Sequence, residues 1–292
     1  MMLRGFRRGD GRLGARNHVL VLPSVVCADL VAERIGGLNA VAVTHQHGCG
    51  QVGDDVAHTE RSLLGFATNP NVGAVVVVSL GCETIQGPRL AKRLGELGQT
   101  VDLVGIQALG GSAKAEAHGQ ASVARLRLGL DRLERVEAPL RDLRVGVRFA
   151  SGGQGKAREV VECAVDSGAS VVVAGRWPGA DELLYGERAR GRLASVPDPG
   201  HGAEQDVALA AAGAQIIVSF VGSGQAPIGF ATCPVIASAL DQDLFVALQD
   251  DFDLGPSADA WSSVIEVFNG GQCAAERRRA CDFMLRRIAR TM

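Results

Sequence analysis

The sequence has few aromatic residues, almost no net charge and no long apolar run, and the last two shortages each exclude a class of protein. Aromatic residues make up 4% of the 292 residues. The net charge of −2 gives a general nucleic-acid role no electrostatic support. No apolar run approaches the roughly 20 residues that span a bilayer. The first residues, MMLRGFRRGDGR, are polar and basic, unlike a secretory signal. We therefore expect a cytoplasmic protein that binds neither nucleic acid nor membrane.

Common cofactor and nucleophile motifs are also missing. Seven cysteines, an odd number scattered along the chain, argue against a disulfide framework. The Gly-rich turns at 151–156 and 222–229 match neither a Walker loop nor the dinucleotide fingerprint. The sequence contains no Gly-x-Ser-x-Gly elbow. What it does contain is abundant glycine, 38 residues, which suits a fold with many tight turns between strands and helices.

A regular alternation of strands and helices predicts the fold class. The most apolar strand is 73–79, GAVVVVS, a continuous run of the kind that is buried on both faces. Other elements alternate with it: strands at 18–26, 40–44 and 101–107, and helices at 54–65, 87–97 and 113–136. Residues 3–17, rich in Gly and Arg, have no period and predict an irregular arm. The alternation is typical of a doubly wound, Rossmann-like parallel sheet of the α/β class.

The same alternation begins again near Leu143 and predicts a second, shortened unit of the same class. Its expected strands are 143–150, 169–176 and 214–220, with 233–239 and 243–249 as further candidates, and its expected helices are 157–168 and 204–213. Residues 181–195 are polar and predict a helix, and the amphipathic spacing of 274–290 predicts a closing helix. We therefore expect two domains, 1–140 and 141–292.

Three cysteines follow the first three strands at equivalent positions. Cys27, Cys49 and Cys82 each come a few residues after a strand. The carboxyl ends of parallel strands meet at one edge of a sheet, where such folds carry their sites. One interpretation is a metal site, either a single transition ion or a cluster held by three thiolates. The other is that cysteines pack well beside tight turns. The same edge is expected to contain His45, His47, Glu83 and Gln107.

The stretch from 42 to 55, AVTHQHGCGQVGDD, contains the densest set of reactive side chains. His45 and His47 lie two positions apart, so in an extended segment both point to the same side and can serve as metal ligands or general acid/base groups. The alternative is that they bond to turn carbonyls. Asp54 either contacts substrate or metal, or helps to cap the helix that it begins. A nucleophilic pair of Cys49 with His47 is a third interpretation.

Two arginines of the arm are candidates for binding a carboxylate. Arg12 and Arg16 are set among glycines, and the guanidinium fork matches a carboxylate in shape and charge. The alternative, which applies to most arginines of this arm, is a solvated surface side chain.

Several segments carry a resemblance to a known family. They are GFRRGDGRLGARN, PSVVC, THQHGCG, TERSLLG, NPNVGAVVVVSLGCETIQ and IQALGGSAK. Through them, residues 3 to about 120 resemble the altronate/galactarate dehydratase (UxaA-type) family of sugar-acid hydro-lyases, which includes the large subunits of sulfolactate sulfo-lyases. A more distant likeness covers PDPGHGAEQDVALAAAGAQIIVSF and the acidic loop DDFD.

The resemblance implies a metal-dependent lyase that removes water from a sugar acid or a related small hydroxy acid. The reaction abstracts the proton next to the carboxylate and then eliminates the β-hydroxyl. The family uses a divalent metal, usually iron, so we expect iron as Fe²⁺ or as an iron–sulfur cluster, with Mn²⁺ as the alternative. The expected partners are a small carboxylate substrate, a small barrel-type subunit and further copies of the chain in a homo-oligomer.

The resemblance and the residue patterns together define the predicted site. The predicted catalytic groups are His45, His47, Cys49 and Glu83. The predicted substrate-binding groups are Arg12, Arg16, Asn17, Gln51, Asp54 and Gln107. The predicted metal ligands are Cys27, Cys49, Cys82 and His47. The residue patterns do not assign the acid and the base among them.

The second half departs from the family pattern. Where the family carries a CGGSD stretch, this sequence has FASGGQGK, and where the family has a Thr-Gly-Arg-Gly-Ser turn, this sequence has FVGSGQ without the arginine. A central segment and the family's small N-terminal barrel domain are not found either. These departures favour an alternative function, a non-catalytic or regulatory subunit that keeps the fold and a ligand pocket but has lost turnover.

Overall fold

Two parallel sheets and one small antiparallel sheet form the frame of the computed structural model, which describes residues 2–288. The strands, in chain order, are β1 (Met2–Arg7), β2 (Leu13–Gly14), β3 (His18–Pro23), β4 (Val41–Ala42), β5 (Val72–Ser79), β6 (Val101–Gly105), β7 (Val136–Pro139), β8 (Arg144–Phe149), β9 (Ser170–Ala174), β10 (Asp181–Glu182), β11 (Leu193–Val196), β12 (Ile216–Val221) and β13 (Val235–Ala239). The helices are α1 (Asp29–Gly36), α2 (Asp54–Ala67), α3 (Gly87–Glu96), α4 (Ser112–Leu130), α5 (Gln154–Asp166), α6 (Ala203–Ala211), α7 (Gln242–Ala247), α8 (Ala260–Phe268) and α9 (Ala274–Arg278). Within the described residues, none of these helices combines the length and the apolar content needed to cross a membrane.

Both larger sheets are parallel throughout. The first has four strands in the order β4-β3-β5-β6, and the second has six in the order β10-β11-β9-β8-β12-β13. The inner strand β5 owes its place to a run of valines, 75–78, that is fully buried on both faces. Parallel pairs connected through helices are the pattern of a doubly wound sheet, so the predicted α/β class with two Rossmann-like units is confirmed.

The two sheets share one apolar core. The helices α2 and α6 pack on each other between the sheets, and the core there includes Val77 of the first sheet, Phe66 of α2 and Ile217 of the second sheet. Burying a side chain such as Phe66 stabilises a fold by about 1.5–3 kcal/mol. Separate apolar clusters lie on the outer faces, under α1 and α4 on the first sheet and under α5 and α8 on the second. The domain division at residue 140 stays a prediction.

Residues 2–14 do not form the irregular arm that the sequence predicts. The strand β1 pairs antiparallel with both β2 and β7, and Leu3 lies opposite Ala138. Leu3 and Leu13 are fully buried in the outer core of the second sheet. Gly5 permits the close pairing, because a Cβ there would lie 2.6 Å from the carbonyl oxygen of Gly14. The prediction was wrong because the buried face of this strand combines a single leucine with a glycine, too little for an apolar period.

Four other predicted elements differ from the structure. The helix expected over 113–136 ends at Leu130. Residues 181–195 contain β10 and most of β11 in place of a helix, because β11 pairs with β9. The candidate strand 243–249 is largely the helix α7, which Asp241 caps by accepting from the N–H of Leu244 at 2.7 Å. The closing helix over 274–290 is only α9, and residues 282–288 run without helical structure. Residues 289 and 290 lie outside the described residues.

Candidate functional site

The loops that follow β3, β4 and β5 meet at one end of the four-stranded sheet. They comprise residues 24–29, 43–53 and 80–86, and we call them together the His/Cys edge. The N–H of Val26 donates to the carbonyl oxygen of His47 (2.9 Å), and the N–H of Thr84 donates to that of Gly48 (2.8 Å). The three loops are therefore joined through their backbones, as the rule for parallel sheets predicts.

Gly48 makes the closest approach between two of these loops. Its φ of +93° lies in the left-handed region that favours glycine. A Cβ at this position would collide with the carbonyl oxygen of Ser24. The glycine before Cys49 therefore lets the second loop rest directly on the first, and this contact fixes the position of the cysteine that follows.

Glu83 is the carboxylate that holds the third loop together. It is 2% exposed, and it accepts hydrogen bonds from the Ser79 hydroxyl (2.6 Å), the Ser24 hydroxyl (2.8 Å) and the N–H of Gly81 (2.6 Å). Burial alone would raise the pKa of Glu83, but these hydrogen bonds outweigh it and lower the pKa. An ionised carboxylate with its oxygens occupied suits a positioning role, and the predicted catalytic role of Glu83 stays a prediction.

His45 is a neutral imidazole whose two ring nitrogens are both hydrogen-bonded within the His/Cys edge. Its Nε2 lies 2.8 Å from the carbonyl oxygen of Pro23 and donates to it, so its Nδ1 accepts from the N–H of His47 (3.2 Å). Burial lowers the pKa of His45 to about 4. With both ring nitrogens occupied, His45 orients the second loop and has no lone pair left for a metal or a proton. Its catalytic role stays a prediction that this geometry does not favour.

His47 has the one unoccupied imidazole nitrogen of the pair. Its Nε2 donates to the carbonyl oxygen of Leu285 (2.9 Å), while its Nδ1 is buried without a hydrogen-bond partner among residues 2–288. An imidazole that donates through Nε2 presents Nδ1 as an acceptor. His47 is therefore the histidine of the His/Cys edge that is able to take up a proton or ligate a metal.

Residues 282–288, which we call the tail segment, lie across this histidine. Leu285 is 3% exposed, and Phe283 packs its ring on that of Phe66 at 4.7 Å. The side chain of Arg287 lies 3.1 Å from a carboxylate oxygen of Asp55, and the N–H of Ile288 donates to the other oxygen (3.2 Å). The tail segment thus covers His47, and sequence reasoning missed it because a helix was expected there.

Asp29 is a candidate functional residue that the sequence analysis did not single out. One of its oxygens accepts from the N–H of His45 (3.1 Å), and the other is buried without a partner within the described residues. Burial raises the pKa of Asp29 to about 7. A carboxyl group that exchanges its proton near neutral pH suits general acid/base work. Its position in the sequence could have pointed to it, because Asp29 follows Cys27 by two residues and begins a helix.

The polar residues after Cys49 connect the edge to α2. Gln51 accepts from the N–H of Gly48 (3.0 Å) and donates to Asp55 (2.9 Å). Asp54 is exposed at the first turn of α2, where the helix dipole favours a negative charge. Gln107 lies against the third loop at Gly81. The structure therefore brings these three predicted substrate-binding residues to the His/Cys edge, and their binding roles stay predictions.

The three predicted binding residues of the arm lie elsewhere. Arg16 forms a two-pronged ion pair with Glu276 at 2.6 and 2.8 Å, and Asn17 bonds to Arg8 and to the carbonyl oxygen of Leu130. Arg12 donates to the carbonyl oxygen of Thr68, just after the far end of α2. The sequence analysis assigned these residues to the same substrate-binding site as Gln51, Asp54 and Gln107. In the structure, the pairing of β1 with β2 places their side chains far from the His/Cys edge.

The three cysteines of the edge are exposed thiols. Cys27, Cys49 and Cys82 lie on the three loops that are joined through their backbones. Thiolate and imidazole donors suit iron chemically. Within residues 2–288, however, no three His, Cys, Asp or Glu side chains are gathered into a group that could hold a metal ion. The predicted metal ligands stay predictions.

A cleft adjoins the third loop of the edge. It has a volume of about 340 Å³ and is lined by Ser79, Gly81 and Gln86 on one side and by Ala108 and His118 on the other. This volume is within the range of pockets that hold small metabolites. The cleft lies at the carboxyl ends of β5 and β6, where doubly wound sheets bind their ligands.

The sequence of the His/Cys edge falls inside a known family. Residues 5–130 match the sequence model of D-galactarate dehydratase/altronate hydrolase, second domain. Over these residues, which are less than half of the chain, the sequence is similar to the second domain of the altronate/galactarate dehydratase family. The chain is 30% identical to altronate dehydratase of Bacillus subtilis over 159 residues, which are 50% of this chain and 31% of that protein. It is 34% identical to altronate dehydratase of Escherichia coli over 104 residues, 32% of this chain and 21% of that protein.

A third similar protein has a different name. The beta subunit of (2R)-sulfolactate sulfo-lyase from Chromohalobacter salexigens is 44% identical over 80 residues, which are 26% of this chain and 20% of that protein. The matched part of the chain thus spans at most 31% of the length of these three curated relatives. The predicted resemblance to a sugar-acid dehydratase family is confirmed over residues 5–130, which contain all three loops of the His/Cys edge.

Proposed function

We propose that this chain is a lyase that eliminates water from a sugar acid, with its chemistry at the His/Cys edge. One observation carries the proposal. Two buried proton-transfer groups, Nδ1 of His47 and an oxygen of Asp29, have no partner among the described residues, and both belong to the segment that matches the dehydratase family. Unpartnered buried polar atoms are costly, so their presence at a strand-end edge supports a functional role.

The elimination needs a base and an acid, and these two residues suit the two tasks. In this proposal the Nδ1 of His47 takes the proton next to the substrate carboxylate, because its Nε2–H is already given to Leu285. Asp29, whose pKa burial raises to about 7, gives a proton to the leaving hydroxyl. Both residues contact His45, which holds them in one place. Since His47 is only 4% exposed, the tail segment has to shift before a substrate reaches it.

The iron that the family resemblance implies is a separate part of the proposal. Held by thiolates of the edge, it would stabilise the negative charge that develops on the substrate after proton loss. The steps assigned to His47 and Asp29 do not depend on it. A partner subunit is also proposed, since one relative is itself named as the beta subunit of a lyase. A cytoplasmic location stays part of the same expectation.

The test is an assay of the full chain with altronate and galactarate. The protein is purified anaerobically, its iron, manganese and zinc are measured, and it is assayed alone and after reconstitution with Fe²⁺ or Mn²⁺. We expect dehydration of at least one acid and a loss of about 100-fold or more in the His47→Ala variant, the usual share of a general base. The matched control is His201→Ala, because His201 is an exposed histidine on a loop of the second sheet.

The alternative function is a non-catalytic or regulatory subunit. It is favoured by the missing second-half motifs, FASGGQGK and FVGSGQ in place of the family patterns. Dehydration of either acid that depends on His47 would exclude this alternative. If the chain binds no metal and dehydrates neither acid after reconstitution, the lyase proposal fails and the subunit alternative is supported.

A further inference from the structure

A second site candidate lies at the opposite end of α2 from the His/Cys edge. It is a cavity of about 370 Å³ between residues 10–13, residues 141–144 and the segment around Arg188, and we call it the arginine cavity. Since α2 has 14 residues, at 1.5 Å per residue it separates Thr68 from Asp54 by roughly 20 Å. The arginine cavity is therefore distinct from the site described above.

The lining of this cavity has an excess of positive charge. It includes four arginines and two aspartates, Arg12, Arg141, Arg144, Arg188, Asp10 and Asp142. Both carboxylates are already paired, Asp10 with Arg12 at 2.5 Å and Asp142 with Arg7 at 2.7 Å. The chain as a whole carries a net charge of −2. The arginine cavity is thus locally positive, although the protein as a whole is slightly acidic.

Three of these arginines have no carboxylate partner within residues 2–288. The guanidinium group of Arg144 donates only to neutral carbonyl oxygens, those of Ala189, Ala212 and Gly191. Arg188 donates to the carbonyl oxygen of Thr68. Arg141 is exposed and forms neither a hydrogen bond nor an ion pair with any other described residue. A partly desolvated guanidinium group is normally paired with an anion, so the cavity lacks its complementary charge.

Two guanidinium groups converge on a single neutral atom. Arg12 and Arg188 both donate to the carbonyl oxygen of Thr68, at 2.6 and 2.8 Å. Burial, and then the nearby charge of Arg12, lower the pKa of Arg188 to about 10. Like charges held together in a poorly solvated place repel each other. The Nη2 of Arg12 and the Nε and Nη1 of Arg188 make no bond within the described residues, so several donors are left for a ligand.

We propose that the arginine cavity binds a small, doubly charged oxyanion, either a phosphate group or a dicarboxylate. Planar guanidinium forks bind both in a two-pronged manner. The volume of the cavity fits a small metabolite, and Leu13 and Pro70 supply an apolar wall beside the charges. The lining comes from residues 10–13, from the turn before β5 and from the second sheet, so a bound oxyanion contacts all three.

The test measures binding to the full chain by isothermal titration. The probes are inorganic phosphate and succinate, and sodium chloride at equal ionic strength is the control for general charge screening. We expect saturable binding of at least one probe. Phosphate alone would identify a phosphoryl ligand, and succinate alone a dicarboxylate. Saturable binding of neither probe would overturn the proposal, whatever the outcome of the dehydratase assay.

Three variants locate the binding. Arg188→Gln is expected to weaken it by about tenfold to a hundredfold, the effect of one lost charge-assisted hydrogen bond. Arg141→Gln is expected to weaken it as well, and since this side chain has no bond within the described residues, its loss leaves the fold intact. Arg158→Gln removes an exposed charge on α5, outside the cavity, and should bind like the original chain. Equal binding by all three variants would refute the assignment to this cavity.

Discussion

The two parallel sheets are built alike, but each buries one carboxylate in a different hydrogen-bonding environment. At the end of the four-stranded sheet, the carboxylate of Glu83 accepts three well-formed hydrogen bonds. In the six-stranded sheet, Arg148 of β8 lies 2.7 Å from the fully buried Asp206 of α6, yet no hydrogen bond of good geometry joins them. The neighbouring Ser219 hydroxyl, opposite Arg148 in the sheet, also has no partner within the described residues.

The difference shows what hydrogen bonding does to a buried charge. Around Glu83 the bonds outweigh burial and lower its pKa, so the charge stabilises the loops. Around Asp206 burial dominates and raises its pKa to about 6. A buried ion pair without aligned hydrogen bonds recovers little of its desolvation cost. The buried carboxylate of the first sheet therefore joins two loops of the His/Cys edge, while in the second sheet we expect the buried pair to contribute little net stability.

The largest expected effect comes from breaking the ion pair of the second sheet. Arg148→Met leaves Asp206 buried without a cation, and we expect a loss of about 3–5 kcal/mol in the free energy of unfolding near pH 8. The double variant Arg148→Met with Asp206→Leu removes both charges and should recover most of that loss. Urea denaturation followed by circular dichroism measures both. A double variant as unstable as the single one would show that the pair stabilises the sheet.

Two buried groups, His45 of the first sheet and Asp206 of the second, make stability depend on pH in opposite directions. The pKa of His45 is lowered from 6.5 to about 4, so its contribution is present above pH 6.5 and is lost as the pH falls towards 4. The pKa of Asp206 is raised from 3.8 to about 6, so its contribution is present below pH 3.8 and is lost as the pH rises through 6. At about 1.4 kcal/mol per pKa unit, each contribution amounts to at most about 3.5 kcal/mol.

Two variants make these opposite slopes visible. Between pH 6.5 and 4.5, acidification should destabilise His45→Gln less than the original chain, because the variant has no buried imidazole to charge. Over the same range, acidification should destabilise Asp206→Asn more, because the stabilising protonation of Asp206 is lost. Unfolding free energies from denaturant titrations at several pH values test both. Parallel curves for all three proteins would disprove the assignment to these residues.

The smallest expected effect is the loss of the hydrogen bonds around Glu83. Glu83→Gln turns an acceptor oxygen into a donor that faces other donors, and we expect a loss of about 2 kcal/mol, the scale of a hydrogen bond to a charged group. The control from the second unit is Glu159→Gln, an exposed partner of Lys156, which should change stability by less than about 0.5 kcal/mol. If both variants lose equally little, the loops do not depend on Glu83.

Much of the fold follows from the sequence because parallel strands have a strong local signal. The valine run of β5 and the repeated alternation with helices predicted the first sheet and its edge, and with them the meeting of the loops of Cys27, Cys49 and Cys82. The strands β1 and β10 were missed, since no apolar period marks them and their pairing is decided by distant partners.

The site could be predicted less completely than the fold. Loop composition pointed to His45 and His47 alike, and only the hydrogen bonds distinguish the occupied ring of His45 from the free Nδ1 of His47. The amphipathic spacing of 274–290 predicted a helix, but the contacts of Phe283 with α2 and of Leu285 with His47 hold that segment in another conformation. Those contacts join residues that are far apart in the sequence, so no local pattern reports them.

During protein synthesis, the His/Cys edge is made long before the tail segment that covers it. His47 and Leu285 are 238 residues apart in the chain. At the usual rate of about 5–20 residues per second, a ribosome needs roughly 12–48 s to pass from one to the other. For that interval the first sheet can form while His47 and Asp55 still lack their cover. Any group that has to enter beneath the tail segment has this period, before the chain is finished, in which to enter freely.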